Sequence, residues 1–124
     1  MTVLWVFLGG GLGSAARFSI GQWAAAAFGV TFPYGTLIVN LTGCFALGAV
    51  VQIAIAGAWH GDVRAAVAAG FLGGFTTYSS FNQETIAMFS SGAAGAAALN
   101  IAITLGGGLA AGLTGAAAAR VFQS

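Results

Sequence analysis

Between Val63 and Phe89 the chain stays apolar for longer than a bilayer is thick, yet its centre reads Gly70-Phe71-Leu72-Gly73-Gly74-Phe75-Thr76-Thr77-Tyr78-Ser79-Ser80-Phe81. An uninterrupted helix accommodates that centre poorly. Each glycine costs ~1 kcal/mol against alanine, and Ser/Thr hydroxyls compete for the backbone's own hydrogen bonds. The stretch therefore predicts a helix broken near residues 73–78. In hydrocarbon, freed backbone groups survive only where protein or a water-filled cavity surrounds them, so the break is expected to face a site and not lipid.

The rest of the chain requires a membrane as well. Of 124 residues, 59% are hydrophobic and 4% charged, and the mean hydropathy is +0.97. A soluble surface cannot be built from so few charges. With about 20 apolar residues per span, the length accommodates four helices in one domain, expected at roughly 3–28, 36–58, 63–89 and 93–121. The expected fold class is an all-α membrane protein of four transmembrane helices whose third is broken. The first apolar run has no basic leader before Val3 and continues past Arg17 to Phe28, the pattern of a retained helix and not of a signal peptide. Cys44 is the only cysteine, which excludes an internal disulfide and a thiolate metal cluster and leaves it as a small packing residue. A net charge of +1 carries no electrostatic footprint for nucleic acid.

Polar residues within the spans are the candidates for function. Arg17 either snorkels to the interface or sits in an aqueous vestibule and attracts anions. Asn40 shares a helix face with Gly43 and Cys44. Its carboxamide is either interhelical glue or a pair of N–H donors for an anion that is losing its water. Past the break, Tyr78, Phe81 and Thr85 recur at helical spacing on one face, a pattern shared by packing cores and by sites. Glu84 is a membrane-embedded acid, a functional candidate or an ion-pair partner for Arg17. Asn100, Thr104 and Gly108 recur every four residues and draw a polar, unobstructed stripe down the last helix, where Gly108 and Gly112 also form a small-xxx-small packing pair. In the loops, Phe32-Pro33-Tyr34-Gly35 reads as a turn, and Asp62 as a cap for the third helix beside a solvent-exposed His60.

Four spans put Arg64 and Arg120 on one side and leave Arg17 leaning to the other, an excess of one arginine that lets the chain insert both ways. Four short helices do not enclose a polar path alone. An antiparallel dimer is expected, with two broken helices meeting near the midplane.

Three stretches in order, Gly9-Gly10-Gly11-Leu12-Gly13-Ser14-Ala15-Ala16-Arg17-Phe18, Gly35-Thr36-Leu37-Ile38-Val39-Asn40 and Gly73-Gly74-Phe75-Thr76-Thr77-Tyr78-Ser79-Ser80-Phe81, resemble the small bacterial fluoride channels. The resemblance covers nearly the whole chain. It implies a multi-pass protein of the bacterial plasma membrane that forms an antiparallel homodimer with two pores, through which fluoride leaves the cytoplasm passively. It also implies a structural Na⁺ held by the backbone carbonyls of Gly73 and Thr76 from both subunits. Asn40 and Phe81 match pore residues of that family, and Asn100, Thr104 and Gly108 fall on its fourth-helix track, with Arg17, Ser80 and Glu84 in vestibule or supporting positions. Two residues depart from the pattern: Tyr78 stands where a second pore phenylalanine is usual, and Gly108 where a serine is common. The tyrosine keeps an electropositive ring edge and adds a hydroxyl donor. Two other readings remain at this level. One is a proton-coupled small multidrug exporter, for which helix 1 lacks the usual acid. The other is a partly degenerate subunit of a heterodimeric fluoride channel.

Overall fold

The computed structural model describes Met1–Ser124. Four antiparallel spans form one bundle. The first is α1 (Thr2–Phe28) and the second α2 (Tyr34–Ile55). The third is split into α3 (residues 61–75) and α4 (Tyr78–Ser90), and α5 (Ala94–Gln123) closes the bundle. Three helices, α1, α2 and α5, are each long and apolar enough to cross a membrane, while the third span is assembled from two shorter pieces.

Glycine sets the boundaries of the helices. Gly57 and Gly92 have positive φ, at 78° and 85°, and each closes its helix with a paired return: Ala58 N–H to Ile53 O with Gly57 N–H to Ala54 O, and Ala93 N–H to Met88 O with Gly92 N–H to Phe89 O. The first of these ends α2 at Ile55, short of the expected Ala58. At its other end α2 starts early. Pro33 (φ −80°, ψ 64°) makes a tight inverse turn closed by Tyr34 N–H to Phe32 O at 2.8 Å, so Tyr34 and Gly35 are already helical and not part of a loop.

Packing follows small residues. A β-carbon on Gly9 or Gly13 of α1 would strike the backbone of Ala66 or Phe71 in α3, and one on Gly74 would strike Gly10. A β-carbon on Gly48 of α2 would strike Gly112 of α5, and one on Gly115 would strike Phe45. The bundle is thus two close pairs, α1 with α3 and α2 with α5, held by backbone approach as expected where lipid removes the hydrophobic drive between helices. Only 18 of 124 residues are buried, so most of the apolar surface is left for lipid or a partner.

Two stretches widen to π-helix, Ala65–Leu72 in α3 and Ile103–Gly107 in α5. Neither follows from residue spacing. Asp62 does not cap α3: His60 is the residue before the helix, no side chain bonds the free N–H groups, and Asp62 Oδ1 instead accepts from the Thr2 hydroxyl at 2.6 Å.

Candidate functional site

The break falls at Thr76 and Thr77, both extended (φ −83°, ψ 156° and φ −151°, ψ 111°). The two glycines expected to cause it are helical: Gly74 serves the contact with α1, while Gly73 is exposed at the groove. Thr76 N–H still reaches Leu72 O at 3.0 Å. Thr77 N–H, which would take Gly73 O in a continuing helix, goes to Asn40 Oδ1 at 2.8 Å, and Asn40 Nδ2 donates to Thr77 O at 3.0 Å. Gly43, one turn further along α2, leaves room for the Thr76 methyl, since a β-carbon there would overlap it. The Thr77 hydroxyl then caps α4, accepting from Ser80 N–H at 3.2 Å and donating to Ser80 Oγ at 3.1 Å.

Two cavities meet at this peptide, and Thr77 lines both. One, of about 480 Å³, is bordered by Ser14, Arg17, Thr36 and Ser80 and is predominantly polar in residue type. The other is a groove of about 410 Å³ bordered by Asn40, Cys44, Gly73, Thr76, Tyr78, Phe81, Thr104 and Gly108. The π segments contribute Ala68 and Leu72 on one wall and Thr104 and Leu105 on the other. Phe81 is buried at 6% exposure while Tyr78 is 74% exposed, and their rings meet at 5.7 Å, tilted by 60°. The phenol therefore stands at the open side of the groove and the phenylalanine at its floor. At Gly108 a β-carbon would sit in ordinary contact with Cys44 Sγ at 3.5 Å, so the glycine widens the groove without being sterically required.

Two of the residues singled out in the sequence lie elsewhere. Asn100 is 1% exposed and does not border the groove. Its Nδ2 donates to Thr85 Oγ1 at 3.0 Å, and Thr85 donates in turn to Phe81 O at 2.7 Å. Glu84 accepts from the Thr36 hydroxyl at 2.7 Å rather than pairing with Arg17, and it borders a separate cavity beside Phe32 and Tyr34, with Oε2 buried and without a hydrogen-bond partner. Thr36, Thr77 and Thr85 are the polar residues whose roles sequence reasoning missed. Only Thr85 and Thr77 carried a signal, the first by its spacing from Phe81 and the second as a threonine three residues before Ser80 at a helix start.

No cluster of three or more His, Cys, Asp or Glu side chains is placed to hold a metal ion. What the break offers is backbone oxygen: Gly73 and Thr76 border the groove, and the Gly73 carbonyl has lost its helical donor to Asn40.

Comparison with known proteins gives this geometry its family. The model of the CrcB-like protein, Camphor Resistance (CrcB) family matches residues 4–116. The chain belongs to that family. Among its relatives are fluoride-specific ion channels FluC: that of Sorangium cellulosum (strain So ce56) is 48% identical over 119 residues, 94% of this chain and 92% of the relative. That of Anaeromyxobacter dehalogenans (strain 2CP-1 / ATCC BAA-258) is 48% identical over 110 residues, 88% and 87% of the two chains. That of Rhizobium etli (strain CIAT 652) is 42% identical over 119 residues, 94% of each. A multi-pass membrane protein of the channel type, and not an enzyme, is what this membership establishes.

Proposed function

We propose that the chain forms a fluoride-selective pore through which fluoride leaves the bacterial cytoplasm passively, lowering its toxicity. The observation that carries the reading is the groove at the break, which gathers Asn40, Tyr78, Phe81, Thr104 and Gly108 from three spans in a chain related to fluoride-specific channels. Fluoride holds its water tightly, so a narrow path must replace that hydration with donors and electropositive ring edges. In this reading Arg17, beside Ser80 in the polar cavity, raises the local anion concentration. The second N–H of Asn40 and the Thr104 hydroxyl then donate to the ion, and the edges of Phe81 and Tyr78 flank it. No covalent step is involved.

The groove is open along the side of Tyr78 and Gly73, both exposed, so the functional unit is a homodimer in which an inverted second copy closes it in the bilayer. A small hard cation is satisfied by neutral oxygens, and the carbonyls of Gly73 and Thr76 would hold Na⁺ between the two copies, adding a positive charge that ties the breaks together. The proton-coupled exporter finds no support in this arrangement, because Glu84 lies outside the groove.

Liposomes loaded with fluoride and containing the purified chain alone test the reading. Fluoride efflux with chloride retained is expected. Silence towards fluoride sinks the proposal, and efflux that appears only when a second, different chain is added replaces the homodimer by a heterodimer.

A further inference from the structure

Phe81 on α4 and Thr104 on α5 border the groove from different helices. One helical turn from each, on the same side, lie Thr85 and Asn100, and these two are bonded to one another in the interior. Thr85 is 6% exposed and Asn100 1%, so both are out of reach of an ion in the groove.

The direction of every bond in this connection follows from counting protons. The Thr85 hydroxyl has one proton, which it donates to Phe81 O at 2.7 Å. Its lone pair must therefore accept, and Asn100 Nδ2 is the donor at 3.0 Å. The oxygen of Asn100 is left facing Thr104, whose hydroxyl donates to it at 3.5 Å, the longest and weakest link. The chain of bonds thus begins at one groove residue and ends at the backbone of the other. A buried carboxamide and a buried hydroxyl are costly unless satisfied, and here each satisfies the other.

We propose that Asn100 and Thr85 are positioning residues: a buried crossbar that sets the separation of Phe81 and Thr104 across the groove, and so governs fluoride passage without touching the ion. The inference deepens the fluoride-pore reading and rests on it. It also reassigns Asn100 from the wall of the pathway to its support. Thr104 gains a specific consequence. Its single proton lies between Asn100 Oδ1 and the groove, held loosely enough for an anion to draw it away.

The test compares Thr85→Ser, which keeps the hydroxyl, with Thr85→Val, which keeps the shape and loses it. Each is reconstituted beside the wild type, and efflux is followed over a series of fluoride concentrations. Thr85→Ser is expected to conduct as the wild type does, while Thr85→Val shifts the half-saturating fluoride concentration by about tenfold. The double variant Thr85→Val with Asn100→Leu removes both buried polar partners together and releases only the weakly held Thr104 hydroxyl, which borders the groove, so it keeps the question open to measurement should Thr85→Val misfold. It is expected to show the same shift with a melting temperature close to that of the wild type. Equal half-saturation in Ser, Val and double variants, beside a conducting wild type, overturns the crossbar alone. A silent wild type overturns the pore reading and the crossbar with it.

Discussion

The carboxamide of Asn40 and the peptide of Thr77 exchange two hydrogen bonds, N–H to Oδ1 at 2.8 Å and Nδ2 to carbonyl at 3.0 Å, across 37 residues of sequence. A side chain on α2 here does what the next turn of α3 would have done. This is why a helix can stop inside a membrane protein at a point 6% exposed without stranding its backbone. Asn40→Ala strands both groups of Thr77, at about 1–3 kcal/mol for each. The purified variant is expected to melt well below the wild type in detergent. Asn40→Asp keeps an acceptor for Thr77 N–H but sets a carboxylate against Thr77 O, so it too is expected to be destabilised. A melting temperature unchanged in both variants would remove the clamp from the account.

The position of the break shows what residue patterns reveal and what they hide. Gly73-Gly74 and the run of hydroxyls mark the right dozen residues, because both depress helix propensity. They do not separate a glycine that ends a helix from one that lets a neighbour approach. Gly74 is of the second kind, facing Gly10 across α1, and the break comes at Thr76 and Thr77, where Asn40 offers a replacement partner. Asp62 failed as a cap for a similar reason. Its carboxylate meets Thr2, 60 residues away, and no local pattern encodes that pairing. The groove residues were legible because helical spacing puts Phe81 on the face of Tyr78 and Gly108 on the face of Thr104. Asn100 shares that spacing and is still covered, since Thr85 of α4 meets its carboxamide one turn beyond the groove, a pairing that spacing within α5 does not encode.

Backbone-to-backbone contact between α2 and α5 makes a second prediction. A β-carbon at Gly115 would overlap Phe45 O, whereas one at Gly106, on the same helix, meets nothing within 4 Å. A backbone carbonyl cannot rotate away, so Gly115→Ala must separate the helices, at about 1–3 kcal/mol. Gly106→Ala is expected to run as a single species on gel filtration, with Gly115→Ala aggregated or melting lower. The reverse order would mean that α2 and α5 do not pack in this register.

Arg17 is half-buried beside Ser14, Thr36 and Ser80, and Glu84 is bonded to Thr36 instead of to Arg17. A cation without a carboxylate in a polar cavity concentrates anions, and the effect fades as salt shortens the Debye length. Arg17→Gln is expected to lower fluoride efflux roughly threefold at low ionic strength, and by less when an impermeant salt is added. A loss of the same size at every ionic strength would assign Arg17 to folding and not to attraction of the ion.

The carbonyls at the break carry the last prediction. Gly73 O has given up its helical donor because Thr77 N–H is bound to Asn40, and Thr76 borders the same groove. If these oxygens hold Na⁺ between two copies, the ion binds the folded dimer and not the unfolded chain, so it must stabilise by mass action, about 2.7 kcal/mol at a hundredfold excess over its dissociation constant. Replacing Na⁺ by N-methylglucamine is expected to lower the melting temperature of the wild type and to favour monomer on gel filtration, with both restored by Na⁺. In Asn40→Ala the peptide of Thr77 is no longer held, so the carbonyls at the break lose their fixed placement and the same exchange is expected to move the melting temperature far less. A wild type that melts identically in the two cations would dismiss the carbonyl site, while leaving the pore reading to be judged on fluoride efflux alone.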